Sequence, residues 1–236
     1  ARYSVDDLSG KAICKRQIQE EAGLTADPAA PLIGIVSRLD DQKGFDLIVP
    51  AIDRILDSGA QFVALGTGDP RHEEALAAVG RRFPKSAGIF LKFDAALAQH
   101  VYAGSDLFLM PSRFEPCGLG QMIAMRYGTI PVVRKTGGLA DTVTEWDAGA
   151  GSGNGFLFVD YEAQALTGAV DRALTAYHMS SQWGQLIRNA MSTDVSWGRS
   201  AREYVKVYNL AFQARVHGGL DTVKGERGRH GGETAT

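Results

Sequence analysis

Six short apolar runs constrain this chain more than any other feature. They lie at residues 32–36, 61–65, 88–92, 106–110, 130–133 and 155–158. Each is followed by a polar or glycine-bearing turn, and most of these turns lead into residues at helical spacing. Runs this short, without polar alternation, suit strands buried on both faces of a parallel sheet. Between them the spacing predicts helices over 45–56, 71–83, 95–103, 121–127 and 139–145. A βα unit repeated in this way folds as α/β, a doubly wound parallel sheet of the Rossmann-like kind.

The flanks differ from this body. Residues 1–29 read as a charged helix, 11–21, ended by Gly23 and followed by a proline-bearing linker. Helices are expected over 162–176, 182–191 and 196–213. From residue 214 to 236 apolar residues thin out while Gly, Arg and Thr accumulate, the composition of a disordered tail. The resulting divisions are 1–29, 30–178, 179–213 and 214–236.

Bulk properties exclude several classes. A formal net charge of -2 gives no general attraction to nucleic acid or to an anionic membrane. No apolar run reaches spanning length, and no signal-peptide layout opens the chain. Cys14 and Cys117 form neither a disulfide framework nor a metal-site spacing, which suits the cytoplasm. The five histidines are scattered, so no metal is expected. The chain opens on Ala1 without an initiator methionine, as a fragment would.

In open α/β sheets, ligand sites form at the carboxyl ends of strands. The first such turn carries Arg38 and Lys43, two cations suited to a diphosphate, or else surface charges paired with Asp40 and Asp41. No G-x-G-x-x-G stands in this turn, and no P-loop motif occurs anywhere. At the second strand end, Gly66 and Gly68 allow a flat ring to approach or simply make a tight turn. Phe93, at the third, either stacks on a base or joins the core.

The turn at residues 111–121 carries more content. Its amides at Cys117, Gly118, Leu119 and Gly120 lead into a helix. Its one acid, Glu115, suits sugar hydroxyls or positive charge at an anomeric carbon better than a phosphate. Its bland alternatives are a helix cap or a pair with Arg113. Thr136, Gly137 and Gly138 offer an N-cap with bare amides, either a second pocket wall or only a cap.

Four motifs in this order resemble the bacterial glycogen synthase and plant starch synthase family. They are Ser37-Arg-Leu-x-x-Gln-Lys-Gly44, Leu65-Gly-Thr-Gly-Asp-Pro70, Pro111-Ser-Arg-Phe-Glu-Pro-Cys-Gly-Leu119 and Arg134-Lys-Thr-Gly-Gly-Leu-Ala-Asp-Thr-Val143. The resemblance covers roughly residues 2–212. It implies the C-terminal half of a two-domain glycosyltransferase B architecture, with residues 30–178 binding a nucleotide sugar and 1–29 linking to a missing N-terminal domain. It further implies retaining transfer of glucose from ADP-glucose to the 4-hydroxyl of an α-1,4-glucan, with no cofactor.

By the same resemblance, Arg38 and Lys43 neutralise the diphosphate and Glu115 holds glucose hydroxyls. The amides from Cys117 to Leu119 bind sugar and phosphate, and Phe93 stacks on adenine. Three positions depart from the family pattern: Gly120 replaces a threonine or serine, Phe93 a tyrosine, and Ala95 a frequent glutamate. Two other readings stand beside the synthase: a UDP-glucose-dependent retaining glycosyltransferase, and a nucleotide-sugar-binding module without turnover.

Overall fold

The computed structural model describes residues 1–226. Residues 1–193 form one compact unit, and a second unit begins at Asp194.

The first unit is a six-stranded sheet flanked by helices. Its strands are β1 (Leu32–Val36), β2 (Gln61–Leu65), β3 (Ala87–Phe90), β4 (Leu107–Met110), β5 (Ile130–Arg134) and β6 (Phe156–Phe158). All pairings are parallel and the spatial order is β3-β2-β1-β4-β5-β6. The uninterrupted apolar runs are buried as expected: β2 is buried along its whole length, and β1 and β4 at all but their last residue.

Between the strands lie α2 (Phe45–Asp57), α3 (Pro70–Arg82), α4 (Ala95–Gly104), α5 (Gly120–Arg126) and α6 (Gly137–Thr142). Two of these helices have capped starts. Asp69 accepts from the Arg71 amide before Pro70, and Asp94 accepts from the Leu97 amide. Acidic N-caps of this kind satisfy orphan amides and oppose the positive helix end. After β6 come α7 (Ala163–Tyr177) and α8 (Ser180–Ser192), in the same unit as the sheet.

The amino-terminal helix α1 (Ser9–Glu21) covers the charged helix expected at 11–21, but one face of it is buried. It packs on α4, with Lys11, Cys14, Lys15, Ile18 and Gln19 buried. Ile18 joins Leu32, Val63, Leu65, Leu97 and Val101 in one core cluster. The Lys11 ammonium reaches the carbonyls of Ala103, Ser105 and Tyr127 and the Thr129 hydroxyl. Lys15 Nζ pairs with Asp106 Oδ2 at 2.7 Å, and donates to Pro28 O and the Tyr177 hydroxyl. Asp106 Oδ2 also accepts from the Leu32 amide at 2.8 Å, at the start of β1. These bonds rivet α1 to the amino ends of β1 and β4.

Removing one partner of such a buried pair strands the other charge. Lys15→Met is therefore expected to cost about 3–5 kcal/mol in denaturant unfolding, with part of the loss recovered in the Lys15→Met/Asp106→Asn double variant. A loss below about 1 kcal/mol would mean that solvent already shields the pair.

The second unit holds α9 (Trp197–Glu226), in which Tyr204, Val207, Tyr208 and Leu210 are exposed. The helix extends past residue 213, where a disordered tail was expected. Residues 214–226 hold three glycines beside single Arg, Lys and Glu residues, so the helix continues there against local propensity. The part of that tail at 227–236 lies outside the described residues.

No described helix is long and apolar enough to cross a membrane.

Candidate active site

The strand order reverses between β1 and β4, where the crevice of a doubly wound sheet opens. The turns leaving these two strands are bound directly to each other. Asp40 caps a 3-10 turn at Asp41–Lys43, accepting from the Lys43 amide. Gly44 follows with φ 77°, and a Cβ there would stand 2.2 Å from Pro111 O. Only glycine combines the left-handed backbone with that approach. The turn after β1 is thereby seated against the start of the turn after β4.

Three successive carbonyls around the acid are each held by a different neighbour. Arg113 O accepts from Arg134 Nη1 at 2.5 Å, Phe114 O from Gln42 Nε2 at 3.2 Å, and Glu115 O from the Gly138 amide at 3.1 Å. Gln42 O also accepts from the Arg113 amide at 2.8 Å. The backbone bearing Glu115 is thus fixed from the β1 turn, from β5 and from α6.

The Glu115 carboxylate is buried, and its Oε2 takes both protein contacts: Lys43 Nζ at 2.6 Å and Ser112 Oγ at 3.1 Å. Its Oε1 has no protein partner among the described residues. Arg38 is exposed, paired with Asp40 at 3.0 Å, and touches Gln42 Oε1 at 3.4 Å. The bland pairings expected from sequence are met only in part. Arg38 does take Asp40, but Lys43 takes Glu115, Asp41 takes His72 and Arg71, and Arg113 takes Asp46.

Two adjoining cavities collect most of the candidate residues. One, of about 240 Å³, is lined by Arg38, Lys43, Ser112, Glu115, Gly118, Leu119 and Gly120, with Tyr102 and Met110 beneath. The other, of about 360 Å³, is lined by Arg38, Gly66, Thr67, Phe93, Ala95 and Tyr102. Phe93 is 89% exposed, so its ring stands free at the mouth instead of joining the core.

Cys117, Gly68, Thr136, Gly137 and Gly138 line neither cavity. The glycines among them, with Gly66, lie where backbones approach closely. A Cβ on Gly68 would meet Leu39 O at 2.3 Å, and one on Gly66 would meet Ser37 O at 1.9 Å, so these glycines let the β1 and β2 ends close together. Gly137 and Gly138 likewise accept the backbone of residues 115–117. The Gly138 amide, read from sequence as bare, is used by Glu115 O. Thr136 holds the N-cap position without a side-chain cap bond. Gly120, where a hydroxyl was expected, sits over Phe108 and Met110, and a Cβ there would stand 3.2 Å from each.

Several residues of the site were not singled out from sequence. Ser112 precedes the acid by one helical turn's spacing, the signal that could have suggested it. Gln42 lies between the two cations. Tyr161, held by Asp46 and lying under the guanidinium groups of Arg113 and Arg134, has no sequence signal linking it to them. Gln121 is fully buried and donates through Nε2 to Cys117 O, Gly118 O and Thr142 Oγ1, closing the start of α5.

Chemically, the arrangement is a carboxylate and two cations at a small cavity of mixed lining, with a more apolar cavity alongside. No group of three or more His, Cys, Asp or Glu side chains that could hold a metal occurs among the described residues.

Residues 17–190 match the family described as glycosyl transferases group 1. The chain is 52% identical over 215 residues to a glycogen synthase of Thermosipho melanesiensis, covering 91% of this chain and 45% of that protein. It is 49% identical over 213 residues to a glycogen synthase of Syntrophotalea carbinolica, covering 90% and 44%. Among solved structures, it superposes with TM-score 0.82 and 41% identity on the catalytic domain of starch synthase IV from Arabidopsis thaliana bound to ADP and acarbose, covering 89% of this chain and 44% of that one. A sucrose-phosphate synthase from Thermosynechococcus elongatus shares the fold at TM-score 0.61 and 23% identity. The chain spans about half the length of the curated relatives it matches.

Proposed function

Since the chain belongs to the glycosyl transferases group 1 family, we propose that it is the donor-binding portion of a glycogen synthase, which transfers glucose from ADP-glucose to the 4-hydroxyl of an α-1,4-glucan with retention. One observation carries this reading: Arg38, Lys43, Glu115 and the Gly118–Gly120 turn converge on one cavity, beside a second cavity that ends at Phe93. Glucose and diphosphate occupy the first cavity and adenine the second, against Phe93.

The residues then divide the chemistry. Arg38 and Lys43 face the diphosphate and stabilise the negative charge that grows on departing ADP. Glu115 Oε1 accepts from glucose hydroxyls and orients the anomeric carbon. Lys43 and Ser112 hold the other oxygen, so the carboxylate has one presentation. In the transfer, the bond from the anomeric carbon to the β-phosphate oxygen breaks. The bond to the acceptor oxygen forms on the same face, and the acceptor proton passes to the leaving phosphate. The acceptor groove belongs to the half of the protein outside this chain, and the whole acts in the cytoplasm.

Calorimetry on this 236-residue chain, paired with a glucan-elongation assay, tests the reading. ADP should bind about tenfold more tightly than UDP, a difference of about 1.4 kcal/mol. Elongation should require the full-length protein, because acceptor and donor must be held together. Tighter binding of UDP would make the donor a uridine sugar, and failure to bind either nucleotide would refute the donor site.

A further inference from the structure

The two cavities meet over a single phenol. Tyr102, near the end of α4, lines both of them. Side chains of a helix slant back toward its amino end. The α4 start follows β3, so the Tyr102 ring runs toward the carboxyl ends of the strands. Two rings hold it in place: Phe108 stacks at 4.8 Å between ring centroids, and Tyr127 lies at 6.5 Å with planes 10° apart.

Tyr102 is 6% exposed, yet its phenol makes no hydrogen bond among the described residues. The other tyrosines of the same unit are all satisfied. Tyr3 donates to Ala103 O and Tyr127 O, Tyr127 to Gln99, and Tyr161 to Asp46, while Tyr177 accepts from Lys15. The oxygen is not sealed from solvent, so a partner reaches it through the cavities that the residue lines. Burial pushes the Tyr102 phenol up to about 12, so it carries its proton and can donate at neutral pH.

We propose that Tyr102 is a nucleotide-contacting residue, whose hydroxyl donates to the bound donor where the ribose joins the diphosphate. The assignment rests on the donor-site reading above. Phe93 marks the base side of the junction, and Arg38, Lys43 and Glu115 mark the sugar-diphosphate side. The part of a nucleoside diphosphate sugar that bridges them is the ribose and its first phosphate. Acceptor oxygens are dense there, and a neutral donor in the floor complements the cations above.

Tyr102→Phe removes one oxygen and leaves the ring stack intact. On this chain, ADP affinity should fall about tenfold, or about 1.4 kcal/mol, while the melting temperature without ligand stays within about 2 °C of the parent or rises. The upward shift of melting temperature on adding ADP should shrink in step. Unchanged ADP affinity would overturn the proposal. So would a weaker affinity accompanied by a matching loss of ligand-free stability, which would make the hydroxyl structural. If the parent chain itself binds no ADP, the donor-site reading fails first and the proposal falls with it. A parent that binds ADP beside a variant that binds equally well sinks Tyr102 alone.

Discussion

Glu115→Gln in the full-length protein is expected to lower glucosyl transfer by about 10³-fold while ADP affinity changes less than about threefold. The reasoning starts from the split carboxylate. Oε2 accepts from Lys43 at 2.6 Å and from Ser112 at 3.1 Å, so Gln must turn its carbonyl oxygen toward that pair. The amide nitrogen then faces the cavity, a donor where an acceptor is needed. Charge and acceptor are lost together at the reacting sugar, whereas Arg38 and Phe93 keep their places and Lys43 keeps its charge for the diphosphate. The ion pair with Lys43 also disappears, so some fall in stability should accompany the loss. Single-turnover transfer rates together with ADP calorimetry would check both halves. A rate within tenfold of the parent would leave Glu115 without its role in transfer.

The second large effect is expected at a position that touches no ligand. A Cβ on Gly138 would lie 1.9 Å from Cys117 O and 2.5 Å from Cys117 C. Both are backbone atoms, and Gly138 N is already bonded to Glu115 O at 3.1 Å. No rotamer change can relieve the overlap, so the 115–117 backbone must move. Gly138→Ala should cost about 3 kcal/mol or more in unfolding. It should also lower transfer about 10²-fold, the effect of misplacing a reacting group by about 1 Å. Gly168→Ala is the control. Gly168 lies within α7 with nothing inside 4 Å of a Cβ, so alanine there should be neutral or stabilising by up to about 1 kcal/mol. Equal effects at the two positions would show that close packing is not what Gly138 provides.

The fold was legible because its signal is local. Each buried strand is an unbroken apolar run, each turn is punctuated, and parallel order follows from βα alternation. What escaped was long range. Lys43 and Glu115 are 72 residues apart, and no spacing rule pairs them. Both were read as ligand-facing charges, and their contact with each other became visible only when β1 and β4 lay side by side. In α1 the inward face was written in Lys11, Lys15 and Gln19 at four-residue steps beside Cys14 and Ile18, but long cations ordinarily mark a solvated face. The carbonyls that receive Lys11, at Ala103, Ser105 and Tyr127, and the Asp106 carboxylate that receives Lys15 all lie far along the chain. The glycines of Thr136-Gly-Gly138 were read as a second pocket wall or only a cap, and the backbone of residues 115–117 that packs against them lies some twenty residues earlier, out of reach of a local reading. Tyr102 was not singled out from sequence: it is a tyrosine within a helix, and most of it is buried.

The pinning of three consecutive carbonyls bears on when the site comes into being. Arg113 O, Phe114 O and Glu115 O are held from β5, from the β1 turn and from the amino end of α6. These contacts join residues widely separated along the chain, so the loop-closure entropy between them must be overcome before any of them forms. A chain that has paired β1 with β2 and β3 but has yet to add β4 and β5 already owns Arg38, Lys43 and Phe93, and nothing in it aims Glu115. The acid acquires its direction only once β4 and β5 have joined the sheet and the start of α6 has docked on the turn. Partly folded forms therefore carry the cations of the donor site without the geometry that would let them act.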